Sequence, residues 1–231
     1  MTTLSEREDL FCQLGVDAVV VVGFTKIMRN LDYPAFVERY LVKKLGVRQV
    51  FVGYDYAFGK GRSGDVAALK KLGKTHAFGV SVVPAVKIGS QPAKSGMIRE
   101  LISRGKFDRA VKILGHAYRL SGKVIRGSGR GIGLGFPTAN LKMADNKLIP
   151  AQGVYFGLVD GKKCVVNIGS RPTFGGGNAQ VEVHILNFSG NLRGKTIKVD
   201  LLKRFRDEKQ FSDVEELKRQ IKKDIVRARE I

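Results

Sequence analysis

Two short stretches of the chain carry the residue types that phosphoryl transfer needs. Gly133-Leu134-Gly135-Phe136-Pro137-Thr138-Ala139-Asn140 offers a hydroxyl and a side-chain amide behind a glycine-rich approach, and Val181-Glu182-Val183-His184 offers a carboxylate. A phosphoryl-transfer site wants oxygens for a metal ion, backbone N–H groups for phosphates and a base for the attacking hydroxyl. The two stretches lie on separate segments of an all-β half, so they serve one site only if a sheet brings them together. On spacing alone a plainer reading competes: a Gly-rich turn leading into a Pro-capped strand, and a solvated Glu on an exposed strand face.

The elements that would position these residues fall into two halves. Residues 1–115 alternate helical and extended patterns. Ser5 to Leu14 predicts a short helix stopped near Gly15, and Asp17-Ala18-Val19-Val20-Val21-Val22 predicts a strand covered on both faces. Pro34 opens a helix with Phe36, Val37, Tyr40, Leu41 and Leu45 on its buried stripe, closed by Gly46. A strand over 49–53 is followed by a helix over 65–72, a strand near 79–83 and helices near 97–104 and 107–114. This predicts a parallel α/β arrangement. From about Tyr118 the period switches to two. Val154 to Val159, Asp160-Gly161 and Lys162 to Val166 read as a hairpin, and Val181, Val183 and Ile185 share one strand face with Glu182 and His184 on the other. A last helix capped by Ser212 and Glu215 should bury Val214, Leu217, Ile221 and Ile225. Short antiparallel strands with one terminal helix predict a small β-barrel over 116–231, the boundary lying near Gly115-His116-Ala117.

Several functions are disfavoured. Ala68-Leu69-Lys70-Lys71-Leu72-Gly73-Lys74-Thr75 nearly spells a phosphate-binding P-loop, but it reads as the end of a helix with Gly73 as its stop, not as the loop before one. The glycines at 127, 129, 131, 133 and 135 fit no dinucleotide-binding register. The formal charge is +20, spread as +9 over residues 1–115 and +11 over 116–231, with no basic tail and no aromatic platform. This distribution argues against a nucleic-acid partner, and the field suits anionic ligands such as nucleotides. Cys12 and Cys164 show no metal-ligand spacing and read as two buried thiols in a reducing cytoplasm. No apolar run approaches membrane-spanning length, and the first residues do not form a signal peptide.

Gly122-Lys123-Val124-Ile125 through Leu141, with GFPTANL intact, resembles the nucleotide loop of the riboflavin kinase family. Gln180-Val181-Glu182-Val183-His184-Ile185-Leu186 and Phe205-Arg206-Asp207-Glu208-Lys209-Gln210-Phe211 resemble that family's later signatures, in the same order. Ahead of them, the residues from Gly53 to Gly64 resemble a motif of the FMN adenylyltransferase domain that precedes the kinase in bacterial bifunctional FAD synthetase. The resemblance implies a Greek-key barrel that phosphorylates riboflavin to FMN with ATP and Mg²⁺. It implies an ATP site of Gly129, Arg130, Gly131, Gly133, Gly135, Pro137, Thr138 and Asn140, with Thr138 and Asn140 as metal ligands. Glu182 would be the base, a role typically worth about 10²–10⁴-fold. Arg206 would orient flavin or phosphates, against a plainer salt bridge near Asp207 or Glu208. Phe174, in Arg171-Pro172-Thr173-Phe174-Gly175-Gly176-Gly177, would cover the flavin, against a plain hairpin turn. Ile132 stands where many relatives carry a second basic residue.

The first half departs from the adenylyltransferase pattern. The family's early Gly-x-Phe-Asp-Gly-x-His-x-Gly-His element is missing, and Lys94-Ser95-Gly96-Met97-Ile98-Arg99 replaces Ser-Ser-Thr-x-Ile-Arg. These departures imply an incomplete nucleotidyltransferase-like sheet, an exposed sheet edge open to association with another chain, and loss of adenylyl transfer. Two alternatives stand against that loss: a bifunctional FAD synthetase of which this chain is a fragment, or a non-enzymatic flavin- or RNA-binding regulator.

Overall fold

The computed structural model describes residues 1–127, 129–170 and 179–231, with Arg130, Ile132 and Ser170 described by their backbone alone. Packing divides the chain into two units, Met1–Asp17 with Lys94–Ile231, and Ala18–Ala93. The boundary read from periodicity near Gly115 lies inside the first unit.

Helix α1 (Leu4–Gln13) is capped by Thr3 in a reciprocal box with Glu6, and Gly15 follows with φ +76°. The unit 18–93 then holds α2 (Lys26–Asn30), α3 (Tyr33–Phe36) continuing as a π-helical segment (Val37–Lys44), β1 (Gln49–Gly53), α4 (Val66–Thr75) and β2 (Gly79–Val83). A small hairpin of β3 (Lys87–Ile88) and β4 (Gln91–Pro92) follows. Strands β1 and β2 pair in parallel, Gln49 opposite Gly79 and Gly53 opposite Val83, over a core of Val37, Val52, Phe58, Leu69 and Phe78.

Three expectations for this unit fail. Residues 17–24 form no regular element, and Val20 is 64% exposed where a doubly covered strand was expected. An apolar run becomes a strand only if a neighbour takes its backbone hydrogen bonds, and the only described parallel pairing is β1 with β2. Leu45 is exposed because the π-helical turns before it rotate it off the buried stripe. Gly73 does not end α4 but lies buried within it, where a Cβ would stand 2.7 Å from the Phe78 carbonyl oxygen.

In the other unit, α5 (Ser95–Ser103) and α6 (Phe107–Leu114) share one core with the barrel strands. Phe107 meets Tyr118 and Tyr155 edge-on at 6.1 and 5.0 Å between ring centres. The barrel is built from β5 (Tyr118–Ile125), β6 (Ala139–Met143), β7 (Gly153–Val159), β8 (Lys162–Ser170), β9 (Ala179–Ile185) and β10 (Thr196–Arg206), with a single helical turn, α7 (Arg130–Gly133), between β5 and β6. It closes in the order β10-β5-β6-β9-β8-β7, every pair antiparallel. Consecutive β7, β8 and β9 with β6 beside β9 make a Greek key. Asp160 and Gly161, with φ of 48° and 77°, form the expected hairpin turn. The pairing of β10 with β7 shifts register between Leu201 and Lys203 and between Arg204 and Arg206, irregularities that bend the strand. Leu120, Leu141, Tyr155, Val166, Val181 and Val199 fill the interior.

Helix α8 (Val214–Glu230) packs along β8, with Ile225 and Ala228 in a second core beside Val154, Phe156, Leu186 and Phe205. Its cap is Asp213, which accepts from the Glu216 N–H at 2.7 Å, not the expected Ser212 with Glu215, and Val214, expected to be buried, is exposed in the first turn. Helix α1 is fastened to the barrel. Glu6 and Lys147, their side chains 0% and 1% exposed, pair at 2.6 Å. Glu6 also accepts from the Thr3 and Ser121 N–H groups, and Lys147 donates to the Arg119 carbonyl oxygen. No helix among the described residues is long and apolar enough to cross a membrane.

Candidate active site on the outer face of the barrel

Alternation along β9 sends Val181, Val183 and Ile185 into the barrel core, so Gln180, Glu182 and His184 project outward. Of the two directions open to Glu182, barrel interior or cleft, the interior is thus already filled. Asn140 on β6 lies in register opposite Glu182, and Asn167 on β8 opposes it from the other side. Residues directly opposed in an antiparallel pair share a face. The amide and carboxylate on separate sequence segments therefore meet.

Gln180 joins them. Its Nε2 donates to Asn140 Oδ1 and to Glu182 Oε1, both at 2.6 Å. Asn140 is itself buried, and its Nδ2 faces Gly127, where a Cβ would come within 2.0 Å of it. Gly131 is equally confined, since a Cβ there would lie 2.5 Å from the Phe136 carbonyl oxygen and 2.9 Å from Thr138 Oγ1. These two glycines let the β5–β6 connection close over the Thr138 and Asn140 side chains. The Gly131 carbonyl accepts from the Phe136 N–H at 2.8 Å, which fixes that fold-back. Gly135, at φ +84°, supplies the left-handed turn before Pro137.

A cavity of about 610 Å³ is lined by Gly127, Gly129, Gly131, Pro137, Thr138 and Asn140, together with residues 188–193 after β9. A smaller one of about 340 Å³ is lined by Gln180 and Asn140 among others, so the Asn140 side chain borders both. His184 is tied into the scaffold: its Nδ1 donates to the Pro137 carbonyl oxygen at 2.9 Å, and its ring meets Phe136 edge-on. It holds the loop that carries Thr138.

Thr138 and Asn140 both line the larger cavity, and a hydroxyl and an amide oxygen are donor types that fit Mg²⁺, which takes few protein ligands and keeps several waters, although Asn140 Oδ1 is already bound by Gln180. Arg206 is placed elsewhere. Its guanidinium binds Asp224 of α8, Nη2 to Oδ2 at 2.8 Å, and Nη1 donates to the Asp207 carbonyl oxygen. Neither Arg206 nor Glu182 lines the larger cavity. Phe174 lies outside the described residues, and so does the Arg130 side chain. Gln180 and the 188–193 segment escaped the sequence reading. Gln180 stands two residues before Glu182, hence on the same strand face, and that parity was the available signal.

The family model described as riboflavin kinase matches residues 114–231, and the one described as FAD synthetase matches residues 1–97. The bifunctional riboflavin kinase/FMN adenylyltransferase of Escherichia coli K12 is 36% identical over all of this chain and 75% of its own length. That of Listeria monocytogenes is 36% identical over 97% of this chain and 72% of its own. A solved structure from Streptococcus pneumoniae, titled a macrolide-efflux protein, superposes with a TM-score of 0.87 at 30% identity, covering 98% of this chain and 74% of that one. The FAD synthetase match gives no support to the expectation that adenylyl transfer is lost.

Proposed function

We propose that this chain, which belongs to the riboflavin kinase and bifunctional FAD synthetase family, transfers the γ-phosphoryl group of ATP to the 5′-hydroxyl of riboflavin, yielding FMN and ADP. The observation that carries this reading is the in-register placement of Asn140 opposite Glu182, joined through Gln180.

Within it, Gly129, Arg130, Gly131, Gly133, Gly135, Pro137, Thr138 and Asn140 form the ATP site, and the glycines allow backbone N–H groups to approach the phosphates. Thr138 and Asn140 would hold Mg²⁺, which when bound neutralises phosphate charge. Glu182 accepts the proton of the ribityl hydroxyl as that oxygen attacks phosphorus. Arg206, steadied by Asp224, and Phe174 orient the flavin. The overall positive charge draws both anionic nucleotide and product towards the protein. Residues 116–231 are the kinase region and 1–115 the adenylyltransferase-like region. Cys164 is buried as expected, Cys12 on α1 is exposed instead, and two thiols without a disulfide suit a reducing cytoplasm. Among the described strands β1 pairs with β2 alone, and the open edge this leaves supports association through that sheet.

A second reading, that the chain also adenylylates FMN to FAD, is favoured by the match over residues 1–97. One assay separates the two: incubation with riboflavin, ATP and Mg²⁺, then chromatographic separation of flavins. FMN is expected, and FAD would add the second activity. Unchanged riboflavin refutes the kinase reading. Glu182→Gln should abolish FMN formation with the circular dichroism spectrum intact; undiminished turnover removes Glu182 from the base role.

A further inference from the structure

We propose that Gln180 is a positioning residue that sets the orientation of the Asn140 amide and one oxygen of the Glu182 carboxylate together. The inference deepens the kinase reading and rests on it.

The reasoning starts from donors and acceptors. An ionised carboxylate only accepts hydrogen bonds, so the Gln180 atom 2.6 Å from Glu182 Oε1 must be its NH₂ group. That group carries two hydrogens, and the second goes to Asn140 at 2.6 Å. Asn140 must therefore turn its oxygen, not its nitrogen, towards Gln180. Its Nδ2 is then left facing Gly127, where the backbone lacks a Cβ and has room for it. The charge on Glu182 thus dictates, through one amide, which way a second amide points. Asn140 Oδ1 keeps a lone pair for a further partner, and Glu182 Oε2 is not bound by Gln180. Asn140 borders both cavities, so turning its amide over would change what each of them meets. Gln180 touches neither the phosphates nor the hydroxyl in this scheme; it acts through its two neighbours.

Two substitutions keep the side-chain length and remove the device in different ways. Gln180→Met deletes the donors, and Gln180→Glu replaces them with acceptors facing an acceptor. Gln180→Met should lower kcat about 10–100-fold, the range for an outer-shell group that orients another residue, with KM for riboflavin and ATP within about threefold. Gln180→Glu should be worse. Adding Gln180→Met to Asn140→Ala should cost little more, because residues acting as one unit are non-additive.

A second readout needs neither turnover nor metal. In the metal-free protein the ¹H–¹⁵N side-chain amide pair of Asn140, assigned by its loss in Asn140→Ala, should move in Gln180→Met. In Gln180→Glu it should shift further as the amide turns its nitrogen to the new carboxylate. Unchanged kcat in Gln180→Met, or an Asn140 amide pair that stays put in both variants, overturns the proposal. If the unaltered protein makes no FMN, the kinase reading falls, while the amide resonances still decide whether Gln180 orients Asn140.

Discussion

Replacing Lys147 by Met tests how α1 is held to the barrel. In the native protein Glu6 has one cation, at 2.6 Å, and two backbone donors, Thr3 and Ser121. Lys147→Met leaves the two N–H groups and removes the charge, so a buried carboxylate stands without a counter-ion. Breaking a buried pair from one side costs about 3–5 kcal/mol, since the surviving ion keeps its desolvation penalty. At about 2–4 °C per kcal/mol for a chain of this size, Tm should fall by about 6–20 °C. The loss has a ceiling, however. Helix α1 can leave the barrel and rehydrate Glu6 while the strands stay folded, so the penalty cannot exceed the free energy that seats the helix. Calorimetry and hydrogen exchange read the two outcomes separately: a lower Tm for the unit, or faster exchange confined to α1. Burial already pulls the Lys147 ammonium below its usual range despite the opposing pull of Glu6, so the pair is strained by desolvation. Adding Glu6→Gln to Lys147→Met should therefore recover part of the loss. A Tm within about 2 °C of the parent, with α1 exchange unaltered, would refute the reasoning.

Two further outcomes follow from other positions. Gly127→Ala puts a methyl group 2.0 Å from Asn140 Nδ2, so it should displace that side chain and lower FMN formation at least about tenfold at saturating riboflavin, with far-ultraviolet dichroism unchanged. Burial pushes the Cys164 thiol from 9.0 up to about 12. A raised folded pKa gives stability that is complete below about pH 9 and lost as pH climbs towards 12, since the unfolded thiol ionises first. Urea midpoints should fall between pH 8 and 10.5, less steeply in Cys164→Ala, and native iodoacetamide labelling at pH 8 should modify exposed Cys12 alone.

The barrel was legible because its signals are local and mutually consistent. The period-two runs, the Asp160-Gly161 turn and the alternation around Glu182 each constrain a neighbour already close in sequence. The meeting of Asn140 with Glu182 could be expected only from family resemblance, since strand order is set by non-local pairing. The placement of α1 was illegible for a different reason. Glu6 completes the N-terminal capping box of α1, yet the same group is fully buried against Lys147 from a distant loop. The apolar run at Val19 to Val22 shows the converse limit: hydrophobicity marks a segment that wants cover without naming what provides it. Asp224 was hidden by charge, because a carboxylate on a basic helix reads as solvated until Arg206 is seen against it. Gly73 misled because a glycine buried against a neighbouring carbonyl looks, in sequence, like a helix stop.

The chain leaves the barrel-bearing unit after Asp17 and returns to it at Lys94. Residues 18–93 are thus an excursion with two tethers, not a bead at the end of one string. A protease cut within the irregular 17–24 stretch would free no domain. It would convert the first helix into a noncovalent ligand of the barrel, retained by the Glu6–Lys147 pair and by Asp9, whose carboxylate lies 2.6 Å from Lys198. The nicked protein should travel as one particle in gentle buffer and shed a short peptide only on denaturation. A stretch of chain ordinarily counted with the leading region would then behave as a detachable subunit of the trailing one.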